Sequence, residues 1–381
     1  MRFLTAVFIL FCINYSMSQN IKRVRSTIEK LSSSDFSGRG YVNDGALKTA
    51  EYLKSRMKKA RVKPLGKVYE QVYFFNVNTF PGNMDVIADG KHLTPGIHYL
   101  VSPESNSISG KFDLKKIDSL TWTNSAEGKE KLYVQYEKKL TWSVSPDTAD
   151  YSLIQLLKDS FSVPVRKMEL NIEQKLIQEN LQENICGQLK GRQVPDSFIV
   201  ISAHFDHLGK MGKNTIFCGA NDNASGVSML LELAEYFSKV KTKYTIVFLL
   251  FSGEEAGLLG SHYFVKNPLV SLERIKFLIN LDLLGTGDEG ITVVNASEYP
   301  DQFKILQRLN DNKKLLPTLK PRGKAMNSDH FWFTEAGVPS FFIYTLGGIK
   351  AYHDVYDIPS TLPLSKFKEV YSLLKEFILQ F

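Results

Sequence analysis

The chain has 381 residues, 43% hydrophobic and 23% charged, with a formal net charge of +7. That balance builds a substantial core and excludes a collagenous, coiled-coil or extensively disordered protein. The positive excess is spread along the chain as separate lysines, as ordinary solubility requires, so no nucleic-acid footprint is expected. Three cysteines without a Cys-x-x-Cys spacing make neither a disulfide framework nor a thiolate zinc site, and the sequence does not fix whether Cys186 and Cys218 pair.

Residues 1–18 read as a secretory signal. Met1-Arg2 gives a basic start, Phe3 to Tyr15 is nearly all apolar, and Ser16-Met17-Ser18 supplies small residues before Gln19. The apolar run is shorter than the ~20 residues a membrane span needs. Cys12 follows bulky Leu10 and Phe11, which argues against a lipoprotein. The expectation is an exported protein, periplasmic or extracellular, with no stable membrane insertion.

Residues 19–76 read as the N-terminal helical part of the catalytic domain, with a helical pattern from Ile21 to Leu65. Ile21, Val24, Thr27, Ile28 and Leu31 share one face; Asp44 is placed to cap a second helix striped by Ala46, Ala50, Leu53 and Met57. Gly38-Arg39-Gly40 between them is a turn signal, and no strand precedes it to make a phosphate loop. Residues 77–182 read as a β-rich insertion of open role. A strand pattern leads in through VYEQVYFFNVNTF, a helix is predicted over Tyr151–Phe161, and RKMELNIE reads as a returning strand. His92 and His98 stand alone there as surface or packing residues.

From residue 183 to 381 strands and helices alternate. The pattern predicts an α/β fold: a three-layer α/β/α sandwich around a mixed, mostly parallel sheet. ICGQLKG, SFIVISA, YTIVFLLFS, KFLINLDLL and PSFFIYTL are the predicted strands. Helices are predicted over Ala224–Lys239, Ala256–Val265, Phe303–Asn310 and from Leu364 onward.

Functional groups in such sheets collect beyond the carboxyl ends of the strands. His204 follows SFIVISA, Glu254-Glu255 follow YTIVFLLFSG, Asp282 ends KFLINL, and His353 lies beyond PSFFIYTL. Imidazole nitrogen and carboxylate oxygen suit zinc or another borderline divalent metal, and two ions a few ångströms apart need a bridging carboxylate, for which Asp222 in GANDNASG is the natural choice. Asp206, two residues from His204, is placed to orient that imidazole. Adjacent carboxylates point differently, so one member of the Glu254-Glu255 pair can ligate while the other acts as general base.

Simpler readings compete at several positions. His207 reads as a supporting rather than a ligating residue, and His262 as packing or surface. Cys218 reads as a small buried residue, and His330 as part of a helix start capped by Ser328. Asp357 either orients a neighbour or caps a loop. Asn223-Ala224-Ser225 matches a glycosylation acceptor, but its place beside the bridge argues against that use.

The segments SAHFDHLG, GANDNASG, FSGEEAGLLGS, INLDLLG, SDHFWFTEAGVPSFF and YHDVYD occur here in order, from about Asn184 to the C-terminus. In them the sequence resembles the M28 family of di-zinc metallopeptidases, which includes many secreted aminopeptidases. The resemblance implies two zinc ions per chain, with His204 and Asp282 on one and Glu255 and His353 on the other. It also implies Asp222 as bridge, Glu254 as base and Asp206 as the residue orienting the first histidine. The activity implied is that of a zinc-dependent exopeptidase, an aminopeptidase acting on peptides with a free N-terminus through a two-metal-activated water. Many secreted relatives carry a protease-associated domain where residues 77–182 lie, but this segment matches it poorly. Two other functions fit the scaffold: a glutaminyl cyclase-like acyl transferase, and a non-catalytic binding protein.

Overall fold

The computed structural model describes residues 19–124 and 131–381, and the expected leader lies outside them. Helix α1 (Ile21–Leu31) buries Val24, Thr27, Ile28 and Leu31 on the predicted face, and Asn20 caps it by accepting from the Arg23 amide. Helix α2 (Gly45–Lys59) buries Ala46, Ala50, Leu53 and Met57. Asp44 precedes it but does not cap it as expected. Its backbone is left-handed, with φ 56°, and its carboxylate makes no capping hydrogen bond; a capping side chain normally needs an extended backbone there.

The main sheet has nine strands: β1 (Lys63–Pro64), β2 (Glu70–Thr79), β3 (Lys175–Leu189), β4 (Val194–His204), β5 (Tyr244–Phe251), β6 (Ile275–Leu281), β7 (Gly290–Val294), β8 (Leu319–Pro321) and β9 (Ser340–Leu346). Their order is β1-β3-β5-β4-β6-β9-β7-β8, with β2 beside β3. The central neighbours β5, β4, β6 and β9 run parallel, and the sheet turns antiparallel at β3 and β7.

Both faces are covered, so β5 is buried from Thr245 to Phe251 and its sequence is almost uninterruptedly apolar. Ile199, Ile201 and Ala203 of β4 face a core shared with α1, α2, α3 (Gly226–Phe237), α5 (Pro300–Lys313) and α7 (Phe367–Ile378). Val200, Val247 and Leu249 point the other way, toward Phe264 of α4 (Leu259–Lys266) and Phe333 of α6 (His330–Glu335). The result is a mixed sheet between two helical layers.

β2 and β3 pair antiparallel from Glu70–Ile185 to Thr79–Lys175. From the far end of this pair grows a second, eight-stranded sheet within residues 84–172. The helix predicted over Tyr151–Phe161 is instead a strand, Ser152–Leu157, followed by a short turn of 3-10 helix. SLIQLL alternates buried and half-buried positions, and its strand lies between Tyr99–Val101 and Leu132–Glu137. Cross-strand pairing thus overrides the helical preference of leucine and glutamine. The core of this second lobe takes in Leu208, Met211 and Phe217, which follow His204 in the main lobe.

Candidate metal centre

Because β5, β4, β6 and β9 are adjacent and parallel, their carboxyl ends share one edge, and the candidate residues meet there. His204 is the last residue of β4, Glu254 and Glu255 lie just beyond β5, and Asp282 directly follows β6. Asp222 comes from the buried turn Ala220–Ser225 that leads into α3, and its peptide bond to Asn223 is cis. His353 sits in the loop after β9 with φ 53°.

Asp222 faces two clusters at once. Its Oδ1 lies 3.4 Å from His204 Nε2, which is also 3.4 Å from Asp282 Oδ1. Its Oδ2 lies 3.2 Å from His353 Nε2, which is also 3.2 Å from Glu255 Oε2. His204, Asp222 and Asp282 are buried. Glu254 offers an atom to the His204–Asp282 side, where the three groups lie within 4.8 Å of one another. Cys186 and Cys218 are free thiols, and Cys218 is only partly buried.

The supporting contacts come from several elements. His207 Nδ1 lies 2.7 Å from Glu255 Oε1, in keeping with a supporting role. Asp357 accepts from the amides of Asn221 and Asp222 at 2.8 and 2.9 Å, so it orients the Asp222 turn. The Asp206 carboxylate accepts from Tyr41 Oη at 2.8 Å and from the Glu254 and Glu255 amides at 3.3 Å. It stands 3.8 Å from His204 Nδ1, and the nearer partner of that nitrogen is the Asp206 carbonyl at 3.3 Å. The carboxylate therefore braces the glutamate loop, and the main chain of the same residue faces the imidazole. His262 packs on Trp332, with ring centroids 4.3 Å apart. Ser328 does not cap α6 but accepts from Asn280 Nδ2.

Three supporting residues were not identified from the sequence. Arg39 is fully buried and donates to the carbonyls of Leu31, Phe205, Cys218, Gly219 and Asp222. The Gly-Arg-Gly turn was legible, but the partners of its arginine were not. Tyr41 follows it directly. Asp329 is a buried carboxyl pushed up to about 7 by burial, with the His204 imidazole opposing and Asp206 and Asp282 adding to the rise. Its place in the SDHFWF motif was the only available signal.

The electrostatics separate the paired glutamates. Burial opposes ionisation of Glu255, yet the His353 and His207 imidazoles hold its carboxylate well below the usual range. Burial pushes Glu254 well above that range; His204 opposes the rise, and Glu255, Asp329 and Asp282 add to it. Burial also lifts Asp282 to about 6.

The donor set fits zinc. Tetrahedral bonds of ~2.0–2.1 Å place neighbouring ligand atoms ~3.3–3.4 Å apart, and the donor separations here are 3.2–3.4 Å. Asp282 Oδ1 is buried without a hydrogen-bond partner, a cost that a cation would offset.

Residues 184–378 match the model of peptidase family M28. Aminopeptidase YwaD of Bacillus subtilis is 27% identical over 244 residues, 61% of this chain and 52% of that protein. A probable zinc metalloprotease of Pyricularia oryzae is 36% identical over 111 residues, 28% of this chain and 22% of that protein. The chain thus spans about half or less of the length of these relatives. Among solved structures, a zinc aminopeptidase from Bacillus subtilis superposes with a TM-score of 0.70 at 20% identity over 94% of both chains. An aminopeptidase from Aneurinibacillus sp. strain AM-1 gives 0.68 at 18% identity, over 95% of this chain and 94% of the other.

Proposed function

The chain belongs to peptidase family M28, and from that premise we propose that it is a zinc-dependent aminopeptidase hydrolysing the first peptide bond of substrates with a free N-terminus. The observation that carries this reading is the single carboxylate, Asp222, presenting one oxygen to each of two histidine–carboxylate clusters. On this reading the chain would carry two zinc ions, supported by that shared carboxylate. His204 and Asp282 would hold one, His353 and Glu255 the other, and Asp222 would serve both. Bound zinc supplies a Lewis acid for the scissile carbonyl and acidifies water.

The chain's own residues do the rest. Glu254 borders the His204–Asp282 side, and its raised proton affinity suits a group that takes a proton from water and returns it to the leaving amine. Asp206 fixes the backbone from which Glu254 and Glu255 project. Its orienting of His204 acts through the main-chain carbonyl. Export remains part of this proposal and rests on residues 1–18.

The test is hydrolysis of a panel of unblocked and N-blocked peptides, with zinc added or chelated. Release of the N-terminal residue from unblocked peptides alone, abolished by chelator and restored by zinc, is the expected result. Equal cleavage of blocked peptides would defeat the exopeptidase assignment. Cyclisation of an N-terminal glutamine peptide without hydrolysis would favour acyl transfer instead.

A further inference from the structure

His353 differs from the other candidate ligands in what holds it. His204 and Asp282 sit at strand ends, Glu255 lies just beyond β5, and Asp222 is in a buried turn braced by Asp357 and Arg39. His353 lies seven residues past the end of β9, in a loop without regular structure that begins with Gly347-Gly348. Its neighbours Lys350 and Tyr352 are exposed, and such a segment does not hold an imidazole in place by itself.

The second lobe supplies the missing constraint. The Trp142 amide donates to the His353 carbonyl at 2.9 Å, and His353 Nδ1 lies 2.9 Å from the Trp142 carbonyl. A carbonyl oxygen only accepts, so Nδ1 carries the proton. In the neutral tautomer that this contact selects, Nε2 is the nitrogen that offers a lone pair, and it is the one that faces Asp222 and Glu255. Three residues earlier, Lys139 Nζ donates to the carbonyls of Lys350 and Tyr352 at 3.0 and 3.2 Å and pairs with Asp354 at 3.0 Å.

This arm is itself fixed. The Trp142 indole donates to the Val101 carbonyl at 2.8 Å and stacks on Phe217, with ring centroids 4.8 Å apart. Both rings belong to the second lobe's core.

We propose that the second lobe is a working part of the metal centre, in which Lys139 and Trp142 position His353 as a zinc ligand. The inference rests on the zinc reading above. It assigns the β-rich insertion a task at the site: removing its grip weakens one ion and leaves the other.

Lys139 is half-exposed, so Lys139→Met tests the grip without opening a core. Zinc release from the purified full chain is followed by chelator competition, alongside far-UV circular dichroism and kcat and KM on an unblocked peptide. Loss of an oriented ligand partner typically weakens metal binding ~10–100-fold. The expected result is such a loss for one of two ions, with unchanged circular dichroism and a fall in kcat larger than any change in KM. Lys139→Arg, which keeps a cation and several donors, should recover most of the affinity. Two ions held as tightly in Lys139→Met as in the parent overturn the proposal and leave the peptidase reading intact. A parent chain that binds no zinc overturns both.

Discussion

Glu255 accepts from His207 and faces His353, whereas Glu254 sits on the other side of the cluster, beside His204 and Asp282. Neighbours in sequence, they meet opposite electrostatic surroundings, and the proposed base is the one whose proton affinity burial raises. Glu254→Gln should keep both ions yet lower kcat by ~10²–10⁴-fold, as expected on losing a positioned general base; near-parental turnover would remove Glu254 from that role. Asp222→Asn should lower zinc content on both sides, because each cluster loses a charged oxygen, and full occupancy by metal analysis would refute the bridge. His330 gives a pH signature away from the ligands. Burial drops its imidazole to about 3, so it stays neutral in the fold while the unfolded chain charges it below its ordinary value of ~6.5. Its contribution to stability is therefore complete above ~6.5 and is lost as pH falls, by up to ~1.4 kcal/mol per pH unit. Denaturant unfolding of the parent and His330→Phe should show their difference moving in the parent's favour as pH rises from about 3 toward the ordinary value, then levelling. A pH-independent difference would contradict this.

At the scale of elements, the turn between α1 and α2 shows how a loop supports a distant site. Gly38, with φ +67°, brings its backbone against the Gly209 and Phe217 carbonyls so closely that a Cβ would strike them. Arg39 follows and ties together five carbonyls, including that of Asp222. Removing the guanidinium takes a donor from each of these carbonyls, of which Gly219 still accepts from the Ala224 amide, and a buried acceptor left orphaned costs ~1–3 kcal/mol. Arg39→Met should therefore destabilise the fold by at least ~3 kcal/mol. Lysine should rescue little of it, since three donors on a point charge cannot span what a planar fork reaches. Parental stability of Arg39→Met in denaturant would show that water replaces the clamp.

Across the whole molecule, the site concentrates Asp206, Asp222, Glu254, Glu255 and Asp282 at one sheet edge, an arrangement that is costly without a counter-charge. Zinc binding and folding are then linked: an ion present at about 1,000 times its dissociation constant stabilises by ~4 kcal/mol. Chelation should lower the thermal midpoint by at least ~5 °C, reversibly on adding zinc; an unchanged midpoint would argue against a resident metal. Phe217, in the second lobe's core, lies a few residues from the Asp222 turn, so the two lobes meet beside the site.

The sequence by itself determined the alternation of strands and helices, the strand ends carrying His204, Glu254, Glu255 and Asp282, and the motif order that marks the family. These are local features: a periodicity, a turn composition, a residue directly after an apolar run. It could not reveal that Ser152–Leu157 would be strand, that Asp206 would brace the glutamate loop, or that Arg39 would reach Asp222. Each of these depends on partners brought together by folding, at separations of 48 residues for Asp206 and Glu254 and 183 for Arg39 and Asp222. The hold of Trp142 on His353 spans 211 residues and two lobes, and hydrogen bonds to main-chain groups of that kind leave no trace in side-chain pattern. Only the tertiary structure decided them, because an amide and a carbonyl are present at every residue and only folding selects which pair meets.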